Sequence, residues 1–153
     1  MKTREDIENE EVRIVYHRAG FESKVGHLVR SRMEAAVCDW LMTNGIAHRH
    51  GSEVFTVRTG ATGTPTAYAP DIVLHDKDRL GRHVIIEPFD AATPRVGSSR
   101  IIAAFRKEMK KDYYIIIVAK RHHMGKVLKE AYDLIVDFKD LDVLMKKLPQ
   151  PPR

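Results

Sequence analysis

The stretch Tyr113-Tyr-Ile-Ile-Ile-Val-Ala119 limits the folds open to this chain more than any other. It is β-rich and shows no polar alternation, the pattern of a strand buried on both faces. Such a strand lies inside a sheet covered by helices on both sides, which points to an α/β architecture. Its fully apolar part, residues 115–119, is far shorter than the roughly 20 residues of a membrane helix, so no membrane partner is expected. With 153 residues, 43% of them hydrophobic and 31% charged, the chain has the size and balance of one soluble domain with a real core. The charged residues 1–11 contain no apolar segment of the signal-peptide kind. The single cysteine, Cys38, cannot form an internal disulfide. A reducing cytoplasm is therefore the expected location.

Three regions follow from the pattern along the chain. Residues 1–24 are charge-rich, with a short alternation at Val12, Ile14 and Tyr16, and read as an N-terminal arm or an extra strand. Residues 25–148 carry the core domain, and the proline-rich 149–153 form a flexible tail. Within the core, Met33, Ala36, Val37, Trp40 and Leu41 recur at helical spacing over 31–43, and Asn44-Gly45 supplies the stop. Strands are expected at 53–58, 68–75 and 82–87, as a meander with a loop at 60–66 and a turn at 76–81. A helix capped by Ser98 or Ser99 buries Ile101, Ile102, Phe105 and Met109 and ends near Lys111. After the 113–119 strand come a short helix at 124–131, a strand at 134–138 and a helix at 140–148. The sum is a mixed central β-sheet flanked by helices.

The hairpin expected between 68–75 and 82–87 has an arithmetic consequence. Facing residues have numbers with a constant sum, and for a turn centred near Arg79, Asp71 and Glu87 satisfy it. Their Cβ atoms should lie about 4.5–8 Å apart. Pro70 and Pro88 remove ladder donors beside them, so the strands should splay at this end. Two carboxylates among apolar strand residues repel and lose hydration unless a cation joins them, and hard oxygen ligands suit Mg²⁺ or Mn²⁺. Otherwise each simply ends its strand in solvent. Glu34 is a third candidate at the edge of the first helix's apolar stripe, although Ser31-x-x-Glu34 also matches a capping box.

The order Glu34 on a first helix, Pro70-Asp71 on a strand, Glu87 at the end of the next, then a helix and the 113–119 strand resembles the PD-(D/E)xK nuclease superfamily. The likeness covers about residues 29–148 and includes Arg30-Ser-Arg-Met-Glu34 through Asn44-Gly-Ile46. It implies a restriction-endonuclease-like core and a metal-dependent DNA endonuclease. Asp71 and Glu87 would hold Mg²⁺ (or Mn²⁺), and Glu34 would complete or orient the shell. The family's lysine two residues after the glutamate is missing, because the chain reads Glu87-Pro88-Phe89. Lys107 on the following helix is the candidate replacement, with Arg32 or Lys120 as weaker ones. The alternative is a catalytically inactive module that keeps the fold and binds nucleic acid or a protein partner. By analogy with nucleases of this size, which often dimerise to cut two strands, the N-terminal arm is a candidate homodimer contact.

Lys plus Arg number 26 against 21 Asp plus Glu, a formal +5, which mildly favours a polyanionic partner such as DNA. Arg100, Lys107 and Lys110 fall on the polar face of their helix, and Lys120 and Arg121 follow the 113–119 strand. These five are the candidate phosphate contacts, and a solvated helix face has the same pattern. The histidine pairs His48/His50 and His122/His123 suggest zinc, but no cysteine or ordered third ligand is expected beside either, so they read as structural or surface residues. Cys38 reads as a small core residue. No GxGxxG or P-loop ending is present, so nucleotide cofactors are not supported.

Overall fold

The computed structural model describes residues 21–22, 28–29, 31–51, 53–89 and 99–148. A small antiparallel pair, β1 (Phe21–Glu22) and β2 (Leu28–Val29), precedes helix α1 (Arg32–Thr43). Strands β3 (His48–His50), β4 (Phe55–Thr59), β5 (Thr64–Tyr68), β6 (Ile72–Leu74) and β7 (His83–Phe89) follow, then helix α2 (Ser99–Met109) and strand β8 (Tyr113–Ala119). Two short 3-10 helices, Arg121–Lys126 and Lys129–Ala131, lead to β9 (Leu134–Asp137) and a last 3-10 helix, Phe138–Lys146. The alternation at Val12, Ile14 and Tyr16 and the 149–153 tail lie outside the described residues. Among the described residues no helix is long and apolar enough to cross a membrane.

The main sheet has five strands in the order β3-β6-β7-β8-β9. β3, β6 and β7 are antiparallel neighbours, whereas β8 is parallel to β7 and β9 to β8. The fold is thus mixed α/β, with a mixed sheet flanked by helices. Both faces are covered, as the unalternating 113–119 stretch requires. On one face Ile72, Leu74, Val84, Ile86, Ile116 and Val118 meet Val37 and Leu41 of α1 and Leu144 of the last 3-10 helix. On the other, Val73, Ile85, Phe89, Ile115 and Ile117 meet Ile102 and Phe105 of α2 together with Val57 and Tyr68 of the β4–β5 hairpin. Burying these branched chains on both faces removes apolar area from water at roughly 25 cal/mol per Å² and supplies the main stabilisation.

Helix α1 starts where expected. Ser31 is its N-cap, and the Ser31 hydroxyl oxygen accepts from the Glu34 N–H at 3.0 Å. It ends at Asn44, after which Gly45 takes φ +71 and lets the chain turn sharply into β3.

Four elements differ from the sequence-based expectation. The single strand expected over 68–75 is two strands: Tyr68 closes β5, which pairs with β4 in a separate sheet, and β6 begins only at Ile72. Pro70 lacks an N–H and cannot continue a ladder, so the chain breaks between them and changes partner. The loop expected at 60–66 is a tight connection, with Gly63 N–H donating to Gly60 O at 3.2 Å, followed at once by β5. The helices expected at 124–131 and 140–148 are 3-10 turns that begin earlier. Gly125 weakens the first, and Asp140 at φ −118, ψ 39 kinks the last. Segments this short cannot repay the cost of α-helix nucleation.

Candidate functional site

The β6–β7 register pairs Ile72 with Ile86 and Val73 with Ile85, the constant sum expected for this hairpin, so Asp71 and Glu87 fall at its open end. Glu87 alternates with Ile85 and Phe89 and faces the α2 side of the sheet. Its carboxylate is buried with that of Asp71; their residues are 5% and 6% exposed. Glu87 Oε1 accepts the Asp71 backbone N–H at 3.2 Å and the Tyr68 hydroxyl at 2.5 Å. Burial drives the Glu87 carboxyl well above its ordinary 4.5, the neighbouring Asp71 charge adds to the rise, and the Tyr68 hydroxyl pulls the other way. The residue that closes β5, just before the Pro70 break, therefore supplies a donor to this carboxylate. Sequence reasoning missed Tyr68 because it assigned that residue to the strand carrying Asp71.

Glu34 is linked to this pair through His50. Its Oε1 lies 3.3 Å from His50 Nδ1, and the His50 ring also meets the Asp71 backbone. Burial lowers His50 to about 4, with the Asp71 contact opposing, so at neutral pH the imidazole is uncharged and its contact with Glu34 is a hydrogen bond rather than an ion pair. The N-cap half of the expected capping box is present, while the Glu34 carboxylate itself turns to His50. Glu34, His50, Asp71, Glu87 and Tyr68 thus form one chain of contacts running from α1 through the β3–β6 edge to β5.

The same region holds an arrangement the sequence reading dismissed. Cys38 lies on the α1 face that packs over β3, and His48 and His50 share one face of that strand. Cys38 Sγ is 3.2 Å from His48 Nε2 and 3.2 Å from His50 Nε2. Among the described residues, Cys38, His48 and His50 are the group of three whose ligand atoms all lie within 4.8 Å of one another; Glu34, Asp71 and Glu87 do not form such a group. The expectation that no cysteine accompanies the first histidine pair is therefore corrected. The i, i+2 spacing of the histidines was legible, but that Cys38 faces them depends on how α1 crosses β3.

The basic candidates separate. Because β7 and β8 are parallel neighbours, α2 between them runs back along the sheet. Arg100, at the start of α2, and Lys120 and Arg121, just past β8, stand at the same end of the sheet as Glu87, because Phe89 pairs with Ala119. Lys107, seven residues farther along α2, and Lys110, just past the helix end at Met109, are exposed about 10–15 Å down its axis. The structure does not bring Lys107 to the carboxylates. Arg121 contacts Asp137 at 3.4 Å with its side chain 84% exposed, a pair of little energetic weight. Phe89, in the position of the family's lysine, is buried in the core. No protein-family model, curated protein or solved structure matches this chain.

Proposed function

We propose that this protein is a metal-dependent DNA endonuclease with a restriction-endonuclease-like core, hydrolysing phosphodiester bonds at the Asp71–Glu87 pair. The observation that carries the reading is the burial of these two carboxylates against each other at the open end of the β6–β7 hairpin. Supporting it is the element order: a helix, three antiparallel strands of the main sheet, a helix, then a strand parallel to the third.

The donor set fits a hard divalent cation. Two buried carboxylates lose hydration and repel each other; burial first and the Asp71 charge second push the Glu87 carboxyl up, and a 2+ ion is the species that offsets both. Asp71 and Glu87 would hold Mg²⁺ or Mn²⁺, which supplies acidified water and offsets charge on the phosphate. Tyr68 fixes the Glu87 carboxylate by its hydroxyl, and the His50–Glu34 contact fixes the backbone at Asp71 from the other side. Arg100, Lys120 and Arg121 would take DNA phosphates at this end of the sheet, and their number would set the salt dependence of binding.

The test is cleavage of supercoiled, linear and four-way-junction DNA in Mg²⁺ and Mn²⁺ by the wild type and Asp71→Asn. Metal-dependent cutting that disappears in Asp71→Asn, with the circular dichroism spectrum retained, is the expected result. Unchanged cutting in the variant would sink the assignment. A second reading rests on Phe89, which fills the lysine's place with a core side chain while Lys107 lies far along α2. It makes the protein an inactive module of the same fold, which binds DNA with a salt slope, ignores divalent metal and cuts none of the three substrates.

A further inference from the structure

Cys38, His48 and His50 are arranged as ligands, and we infer that they form a zinc-type site separate from the Asp71–Glu87 pair. The sequence pattern is Cys-x9-His-x-His, folded as helix, tight turn and strand. Alternate residues of a strand project from one face, so His48 and His50 both point at α1, where Cys38 occupies the facing position. A tetrahedral ion with Zn–S of ~2.3 Å and Zn–N of ~2.0–2.1 Å holds sulfur and nitrogen roughly 3.5 Å apart. The two Sγ···Nε2 separations of 3.2 Å are a few tenths of an ångström from that value.

The outer contacts orient the rings as a metal site requires. His48 Nδ1 lies 3.0 Å from Ile46 O, and His50 Nδ1 lies 3.3 Å from Glu34 Oε1. Both acceptors favour the proton on Nδ1, which turns each Nε2 lone pair toward Cys38 Sγ. A backbone carbonyl behind one imidazole and a carboxylate behind the other are the usual supports of histidine ligands. Charge balances as well: the Cys38 thiolate and the Glu34 carboxylate together offset a 2+ ion in a region where both residues are buried. Thiolate and imidazole donors select zinc over the Mg²⁺ or Mn²⁺ suited to Asp71 and Glu87. Binding replaces the S–H bond with an S–metal bond and releases the thiol proton to solvent. Glu34 is then a positioning residue for His50.

Cobalt(II) titration of the metal-free 153-residue chain tests this, because Cys38 is its sole cysteine and any thiolate-to-cobalt charge-transfer band must come from it. One equivalent should produce that near-ultraviolet band with the visible bands of tetrahedral cobalt, and zinc should displace it. Cys38→Ser should abolish the near-ultraviolet band. Glu34→Gln should keep the band but weaken binding about 10–100-fold. Bound zinc should also protect the Cys38 thiol of the wild type from alkylation, a readout that needs no variant to fold. A wild type that gives no thiolate band and no zinc protection overturns the site. So does cobalt binding that persists unchanged in His48→Gln and His50→Gln.

Discussion

Replacing Tyr68 by Phe isolates a side chain that stabilises the ionised form of Glu87. The change removes a single hydroxyl, leaves no cavity, and keeps the ring contact with Phe105, whose centroid lies 4.8 Å away. What is lost is the 2.5 Å hydrogen bond to Glu87 Oε1. When Glu87 is ionised that bond is charge-assisted, and its removal should cost about 1.5–3 kcal/mol; when Glu87 is protonated the neutral bond is worth about 0.5–1.5 kcal/mol. The sign of the pH dependence follows from linkage. The Glu87 carboxyl titrates well above 4.5 in the folded chain, so the unfolded state ionises first as pH rises. The contribution of Glu87 to native stability is therefore fully present below about 4.5 and is lost as pH rises through the raised folded value. Losing the hydroxyl raises the folded value further and extends the fall. The deficit of Tyr68→Phe should grow from acid to alkaline pH, reaching roughly 3–12 °C in melting temperature for a chain of this size. Urea and thermal unfolding of metal-free wild type and variant near pH 5 and pH 9 measure it. An equal deficit at both pH values, or less than about 0.5 kcal/mol at the higher one, would refute the electrostatic role of the bond.

Other perturbations check the rest of the structure. Asp78 accepts from the Arg82 N–H and guanidinium and from the Leu80 N–H in the β6–β7 turn. Burial pushes its carboxyl up, but the Arg82 contacts outweigh that and hold it below 3.8, so its contribution is present above that pH and is lost in acid. Asp78→Ala should cost about 1–2 kcal/mol at neutral pH and less near pH 3, read from denaturant midpoints. Phe105 is fully buried with the rings of Phe55, Tyr68 and Tyr113 centred 4.9, 4.8 and 5.1 Å away. Phe105→Ala should cost about 3–5 kcal/mol by calorimetry, and a loss under 1 would contradict this packing.

Much of the frame was legible because it rests on local rules. Helix α1 with its Ser31 cap, the apolar face of α2 and the doubly buried β8 follow from periodicity and capping, which depend on neighbours a few residues away. The opposition of Asp71 and Glu87 was legible too, since one turn fixes the register of two strands. Sequence could also show that His48 and His50 share a strand face. Tertiary structure decided the rest. At Pro70 the chain has no N–H to offer, yet only the packing of β4–β5 onto α2 determines that Tyr68 turns to a different partner and lends its hydroxyl to Glu87. Likewise nothing within Cys-x9-His-x-His dictates that the thiol meets both imidazoles. That depends on how α1 crosses the sheet, set by Val37 and Leu41 seating against Ile72, Leu74 and Ile86. Apolar burial is non-directional, so the sequence names the face that must be covered, while the close packing of particular side chains chooses what covers it and which polar groups are carried into contact.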